Sequence, residues 1–298
     1  MACYGVLPIS AMVSFLDIVN DNAFIPSQLL VVITCVLLAL FPATLNAGPV
    51  IDRIRANDEL VLGTPGDFPP FTVTSVHGDL IGFDISLVRE LARNMDVDFR
   101  VERIPFAGLI PALQAGEVDI IMAGMSMSAT RNMEIAFVGP YGNSGQAFIG
   151  RDEVVQSLTE PLDLNRKGLR VGVLRDTTAD FTVRTVLPRT EAVYTESLDQ
   201  AMILLLNGAI DGVLSDYPYC KVAEYRYRDE GIQVYEKILS FEQLGMGVSP
   251  EDTLFINLLD NYLTLMTSSG ALEAMQEYWF KNRSWVKDTP DLMMFRDF

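Results

Sequence analysis

Apolar residues recur along most of this chain at two spacings, one typical of strands and one typical of helices. The segment ELVLGT (59–64) reads as a short apolar strand, FTVTSVHGDLIGF (71–83) has the pattern of a hairpin with HGD at its tip, and DFRVERI (98–104) alternates as a second strand does. Between the last two, ISLVRELARNM carries one apolar face at helical spacing, and Asp84 stands where an N-cap is expected. This order predicts strands joined by helices.

A buried parallel strand is predicted next. FAGLIPALQAG (106–116) predicts a short helix that ends at Gly116, and VDIIMAG (118–124) follows at once with apolar residues on both faces. A strand of this kind is typical of a parallel sheet that is covered by helices on both sides. The first part of the chain therefore has the pattern of a βαβ unit.

After residue 167 the same order of elements returns. The predicted elements are the strand GLRVGVL (168–174), a helix over TTADFTVRTVL that begins at Thr177 or Thr178, the strand AVYT (192–195), a helix over SLDQAMILLLNGAI capped by Ser197, the strand DGVLSD (211–216), a helix over 217–229, a strand near IQVYEKI, and two C-terminal helices over EDTLFINLLDNYLTLMTSSG and ALEAMQEYWFKN. No low-complexity linker separates the two units. We therefore expect two packed α/β lobes joined by strands, with GQAFIG (145–150) and FEQLGMG (241–247) as the crossovers.

Length and charge narrow the class of protein. The chain has 298 residues, which is enough for two domains, and 49% of them are apolar, so a sizeable core needs no disulfides. The formal net charge of −17 argues against nucleic acid as a partner and against adsorption to an anionic membrane surface.

The N-terminal segment differs from the rest of the chain in charge and in hydrophobicity. No Lys or Arg precedes Arg53, and LLVVITCVLLALF (29–41) is a run of thirteen residues that a proline stops, whereas a bilayer span needs about 20. Such a run is typical of the apolar segment of a secretion signal, although Asp17 and Asp21 stand where positive residues are expected. A single membrane anchor is the alternative, and a lipid-modified Cys35 is disfavoured by the apolar residues that continue after it.

Cysteine and histidine counts exclude several kinds of catalysis. Cleavage after Ala47, in LNAG, would remove Cys3 and Cys35 and leave Cys220 alone, so no internal disulfide is expected. His77 is the only histidine and lies at the predicted hairpin tip, which argues against a serine or cysteine nucleophile with a histidine base. We expect no metal site, because no histidine–cysteine cluster occurs, and no cofactor.

Small and charged residues follow the predicted strands at the point where ligands bind in α/β sheets. Gly124, Ser126 and Arg131 come just after one buried strand, and Asp216 ends the equivalent strand of the second unit. An arginine can hold a carboxylate with two parallel hydrogen bonds, and an aspartate can accept from an ammonium. A free α-amino acid carries both complementary charges, so these residues suit a zwitterion.

Five stretches of the chain carry a family resemblance. GTPGDFPPF, GFDISLVRELA, FAGLIPALQAGEVDIIMAGMSMSATR, RVGVLRDTT and GVLSDYP occur in an order and spacing that resemble the polar-amino-acid solute-binding proteins of ABC importers, from about Ile54 to Trp285. In that family an AG dipeptide precedes a Thr or Ser, and five residues later comes the Arg that binds the α-carboxylate. Ser126 and Arg131 fall on those two places.

The resemblance also implies roles for six further residues. Gly124 falls where a backbone carbonyl meets the α-ammonium, and Asp216 falls on the ammonium-binding aspartate. Thr178, with Thr177 beside it, falls on a residue whose backbone or hydroxyl adds to the carboxylate site. Phe68 and Phe106 fall on positions, commonly aromatic, that enclose the ligand's side chain. An acid common in binders of cationic amino acids is replaced here by Pro65.

The resemblance implies a two-lobed clamshell of the periplasmic type II class, in which each lobe is a mainly parallel sheet flanked by helices. The expected parts are a signal or apolar segment (1–47), the first lobe (48–146 and 241–298) and the second lobe (147–240). The expected protein is a periplasmic monomer without catalytic residues that binds a small amino acid-like ligand by hinge closure and delivers it to the membrane permease of an ABC importer.

An enzyme on the same fold is the alternative function. TPGDFPPF resembles the first-strand loop of cyclohexadienyl dehydratases, Asp67 included. Those enzymes carry a glutamate a few residues after the ligand-binding aspartate, where this chain has Tyr217, Pro218, Tyr219 and Cys220. Asp67 and Asp176 stay open as acids that could protonate a leaving hydroxyl.

Overall fold

A computed structural model describes residues 48–292, and the predicted signal segment, 1–47, lies outside the described residues. The strands are β1 (Glu59–Thr64), β2 (Asp67–Phe68), β3 (Thr72–Thr74), β4 (Leu80–Ile81), β5 (Asp98–Arg103), β6 (Ile120–Ile121), β7 (Ala136–Ser144), β8 (Gln146–Arg151), β9 (Arg170–Leu174), β10 (Glu191–Thr195), β11 (Gly212–Asp216), β12 (Ile232–Tyr235) and β13 (Glu242–Val248). The α-helices are α1 (Pro49–Asn57), α2 (Phe83–Met95), α3 (Leu109–Ala115), α4 (Ala129–Asn132), α5 (Asp152–Gln156), α6 (Thr178–Thr185), α7 (Leu198–Leu206), α8 (Tyr217–Tyr227), α9 (Thr253–Ser268) and α10 (Ala271–Gln276).

Two five-stranded sheets with matching topology form the frame. The first has the order β5-β1-β6-β13-β7 and the second the order β10-β9-β11-β8-β12. In the first sheet β1 is parallel to β5 and β6, and β13 is antiparallel to both of its neighbours. In the second, β9 is parallel to β10 and β11, and β8 is antiparallel to both of its neighbours. Four strands of each sheet therefore run in one direction and one strand is reversed, which confirms the predicted two-lobed α/β fold with mainly parallel sheets.

The hairpin predicted at 71–83 is confirmed as part of a small third sheet. Strands β2, β3 and β4 pair antiparallel in that order, and Val73 lies opposite Ile81. Helix α2 follows directly and buries the apolar face that its spacing predicts. The predicted cap is wrong, however. Gly82 precedes the helix, and Asp84 lies in its first turn with a fully buried carboxylate that accepts from the backbone N–H of Gly124 at 3.0 Å.

The chain crosses between the two sheets at shorter segments than the sequence predicts. All of GQAFIG except Gly145 lies in β8 of the second sheet. Gly145 is the single residue between β7 of the first sheet and β8. The return crossing is 236–241, between β12 and β13, so the prediction of FEQLGMG (241–247) as the crossover is wrong except at Phe241: the rest of that segment lies in β13. A Cβ on Gly145 would lie 2.1 Å from the carbonyl oxygen of Ser240, so the two crossings touch at a point that admits only glycine. The lobe boundaries at residues 146 and 240 stay a prediction.

Buried aspartates fix the ends of several elements. Asp252 caps α9 by accepting from the N–H of Phe255 at 2.9 Å, and its other oxygen accepts from the N–H groups of Val50 and Ile51 at 3.0 and 2.9 Å at the start of α1. One carboxylate thus serves two helix N-termini that are about 200 residues apart in the chain. It joins the C-terminal helices to the first element of the described chain.

No helix within residues 48–292 is both long and apolar enough to span a bilayer. Over the same residues, no group of three or more His, Cys, Asp and Glu side chains is placed to hold a metal ion. Cys220 is a buried free thiol.

Candidate functional site

All eight residues that the sequence singles out line one cavity between the two sheets. Its volume is about 490 Å³ with the solvent at its mouth included. The residues of the first sheet and its loops are Phe68, Phe106, Gly124, Ser126 and Arg131, and those of the second are Thr177, Thr178 and Asp216. The cavity is also lined by Pro65, Asp67, Leu174, Ala179, Leu198, Leu214 and Ser215.

Arg131 extends from the first lobe towards the second. It lies on the single turn of α4, and its guanidinium donates to the carbonyl oxygen of Ser126 at 3.0 Å and to that of Asp176 at 3.2 Å. The guanidinium carbon lies 5.1 Å from the ring centre of Phe106. Burial lowers the pKa of Arg131, and the charges of nearby carboxylates oppose that shift, so the side chain stays cationic.

Asp216 ends β11 on the opposite wall. Its carboxylate accepts from the hydroxyl of Ser144, and the amide of Gln146 also bonds it. Burial raises its pKa to about 7, and the negative charge of Glu242 adds to the increase. Within residues 48–292, neither Asp216 nor Arg131 takes part in an ion pair. The two opposite charges therefore face one cavity while each stays available to a ligand.

The N-terminus of α6 forms a second donor group on the side of the second lobe. Thr177 is its N-cap: the hydroxyl accepts from the N–H of Asp180 at 3.2 Å and donates to the carbonyl oxygen of Leu174 at 2.7 Å. The hydroxyl of Thr177 is therefore occupied by the helix itself. Thr178 and Ala179 follow it along the cavity, and the first N–H groups of an α-helix have no partner within the helix. This helix end suits an anion.

Aromatic rings form the apolar part of the wall. Phe68 is buried and packs on Phe71 and on Tyr219 of α8, with ring centres 5.1 and 5.7 Å away. Gly124 has a positive φ of 57°, and a Cβ there would lie 2.6 Å from the ring of Phe68. Glycine thus lets the ring of Phe68 lie directly against the backbone of the site. Phe106 is half-buried beneath Arg131.

The hydroxyls of Ser126 and Thr178 are directed at a residue that the sequence analysis missed. Both donate to the same carboxylate oxygen of Glu242, and the bond from Thr178 is 2.9 Å long. Thr178 in turn accepts from the amide of Gln146 at 2.8 Å. The position of Glu242 in the predicted crossover FEQLGMG was the one signal that could have identified it.

Two further acids lie under or beside the cavity. Burial raises the pKa of Asp84, which holds the N–H of Gly124, to about 7. Asp67 lines the cavity, and burial raises its pKa, although the backbone N–H of Leu198 partly offsets this. Glu224 is not at the site, because its carboxylate bonds Lys221 and the N–H of Val234.

Known proteins resemble this chain over most of its length. The ABC transporter arginine-binding protein 1 of Escherichia coli is 25% identical over 76% of this chain and 92% of that protein. The histidine-binding periplasmic protein of Escherichia coli is 28% identical over 84% of this chain and 96% of that protein. The crystal structure of the ancestral amino acid-binding protein AncCDT-1, a precursor of cyclohexadienyl dehydratase, superposes with a TM-score of 0.72 at 28% identity and covers 77% of this chain and 99% of that one.

The family follows from a profile match as well as from these relatives. The profile of the bacterial extracellular solute-binding proteins, family 3, matches residues 60–282. The matched residues include all eight predicted site residues and every strand of both five-stranded sheets, except for the first residue of β1. The chain belongs to the bacterial extracellular solute-binding proteins, family 3.

Proposed function

We propose that this chain binds a free α-amino acid in the cavity between its two sheets and delivers it to the membrane permease of an ABC importer, without chemical change. The observation that carries the proposal is the pair of opposite charges, Arg131 and Asp216, on facing walls of one cavity and outside any ion pair of the described residues. An amino acid presents the complementary charges on two groups attached to one carbon.

The carboxylate of the ligand would lie between Arg131 and the N-terminus of α6. The guanidinium has five N–H donors and uses two of its nitrogens on carbonyl oxygens, so donors remain for a ligand. The first-turn N–H groups of Thr178 and Ala179 would add donors from the second lobe. A carboxylate at this point touches both lobes at once.

The ammonium of the ligand would pair with Asp216, and the carbonyl oxygen of Gly124 would be a second acceptor. Phe68 and Phe106 would enclose the apolar part of the side chain, and Asp67 would face its far end. Charge-assisted hydrogen bonds contribute about 1.5–3 kcal/mol each. Contacts to both charged ends explain why a free amino acid is favoured over a peptide, whose ends are too far apart.

Hinge closure would couple binding to delivery. Because the contacts of the ligand come from both lobes, it binds the closed arrangement better than an open one and shifts the population towards it. The crossings at Gly145 and 236–241 are where rotation would occur. The closed protein would then be the form that the permease recognises.

A thermal-shift screen of the purified protein against the common amino acids, with prephenate as a further sample, tests this proposal. One or a few amino acids should raise the melting temperature in proportion to ln(1 + [L]/Kd), and Arg131→Ala should abolish the shift. Glu134→Gln on the neighbouring exposed turn is the matched control. Stabilisation by prephenate together with its consumption would instead establish a dehydratase with Asp67 as the candidate acid. The absence of a shift with every amino acid would contradict the proposal.

A further inference from the structure

The carboxylate of Glu242 joins three parts of the molecule at the hinge. It lies at the first residue of β13, where the chain has just returned to the first sheet. One oxygen accepts from the hydroxyl of Ser240 at 2.7 Å, within the return crossing. The other accepts from Ser126 of the first lobe and from Thr178 of the second, the latter at 2.9 Å.

We propose that Glu242 is an interlobe latch, a positioning residue that stabilises the closed arrangement in the absence of ligand. Ser126 is held to the first sheet, since Ser126 bridges Leu244 of β13 and the N–H of Met127 donates to the carbonyl oxygen of Gln243. Thr178 is held to the second sheet, as the first residue of α6. Rotation of one lobe away from the other must separate these two hydroxyls, so Glu242 cannot keep both bonds in an open cleft.

The latch also decides which groups remain for the ligand. Each hydroxyl has a single hydrogen, and both hydrogens are directed to Glu242. Ser126 and Thr178 therefore present only acceptor lone pairs to the cavity, and the carboxylate-binding donors are those of Arg131 and α6. The charge of Glu242 is the largest electrostatic contribution that keeps Arg131 protonated against its burial. Glu242 thus supports the carboxylate subsite without itself touching a ligand.

The second crossing makes the latch part of the hinge. The N–H of Gln146 donates to the hydroxyl of Ser240 at 2.9 Å, and the amide of Gln146 donates to Thr178 at 2.8 Å. Glu242, Ser240 and Gln146 therefore link both crossings to the start of α6. A change in hinge angle is transmitted directly to the cavity by this chain of hydrogen bonds.

Hydrogen exchange of the ligand-free full chain tests the latch without any ligand, so its result is independent of the proposed function. In Glu242→Ala, backbone amides in 126–132 and 174–182 should exchange about tenfold faster than in the unmodified protein, which corresponds to about 1.4 kcal/mol. Amides of β1 (59–64), inside the first sheet, should be unchanged. Glu242→Gln, whose amide oxygen still accepts one hydroxyl hydrogen, should show a smaller acceleration.

Two controls separate the latch from a general loss of stability. Ser240→Ala removes the bond to Glu242 and the acceptor of the Gln146 N–H, but it leaves Glu242 bonded to Ser126 and Thr178, so both cleft segments should stay near their original rates. Glu117→Gln removes the charge of an exposed glutamate elsewhere and should have no effect. Unchanged exchange in 126–132 and 174–182 of Glu242→Ala would overturn the proposal, and so would an equal acceleration in β1, which would mean that Glu242 only stabilises the fold.

Discussion

Lowering the pH through 7 should weaken amino-acid binding because Asp216 must be ionised to pair with the ammonium. Burial, with a smaller contribution from the charge of Glu242, raises the pKa of Asp216 in the ligand-free protein to about 7. The ammonium of a bound ligand favours the ionised form and lowers that pKa in the complex. Binding below pH 7 therefore releases a proton, and the dissociation constant increases as the pH falls.

The magnitude follows from the pKa. At about pH 5, two units below the pKa of Asp216, roughly one molecule in a hundred carries the charge, so the dissociation constant should be about a hundredfold higher than at about pH 8. This corresponds to about 3 kcal/mol. Asp216 is almost fully buried, so solvent screening reduces this difference in binding free energy only slightly.

Acid unfolding should not interfere with a measurement of the dissociation constant down to about pH 5. A carboxyl whose folded-state pKa is raised binds its proton more tightly in the folded protein than in the unfolded chain. Its contribution to the free energy of unfolding is fully present below about pH 4 and is lost as the pH rises through about 7. The same sign holds for Asp84, whose pKa is also raised to about 7. At pH 5 these two groups favour the folded state.

Isothermal titration calorimetry with the amino acid that stabilises the protein most provides the assay. Titrations in two buffers of different ionisation enthalpy give the number of protons released, which should approach one near about pH 5.5. The Asp216→Asn variant should bind the amino acid more weakly at every pH, and its binding should release no proton. Asp84→Asn is the matched control, because it changes a second buried acid of similar pKa that a ligand cannot touch, and it should keep the proton release. A dissociation constant that is independent of pH between about 5 and 8 would refute the reasoning.

Three further changes test other parts of the structure. Arg131→Lys should raise the dissociation constant about 10- to 100-fold by calorimetry, because an ammonium cannot present the planar pair of N–H donors with which a guanidinium bonds both oxygens of a carboxylate. Unchanged affinity would exclude the bidentate role. Gly145→Ala should lower the free energy of unfolding in urea by about 1–3 kcal/mol, since its Cβ would lie 2.1 Å from the carbonyl oxygen of Ser240, whereas Gly142→Ala on β7, with no atom within 4 Å, should be neutral. Asp252→Ala should cost about 3 kcal/mol in the same assay, because three N–H groups lose their acceptor, and a loss below about 0.5 kcal/mol would contradict this account.

The hydrophobic pattern predicted the elements because each depends on local spacing. The strand at 59–64 was placed to the residue, and the caps Ser197 and Gly116 lie where the sequence puts them. Asp84 was misplaced for a physical reason: an acid at a helix start normally bonds its own helix, and here it bonds Gly124, forty residues later. Which donor a buried carboxylate accepts from is decided by tertiary packing, which no local pattern encodes.

The cavity residues were predictable in position but not in the direction of their hydrogens. Ser126 and Thr178 line the cavity as expected. Their hydroxyls point at Glu242, whose distance from them in the sequence is 116 and 64 residues. Glu242 reaches both only because β13 returns to the first sheet antiparallel to β6 and β7 and places its first residue between the two lobes. A reversed strand in an otherwise parallel sheet thus supplies the carboxylate that joins the lobes, and the topology of the sheet, not a motif, decides which donors an incoming carboxylate finds.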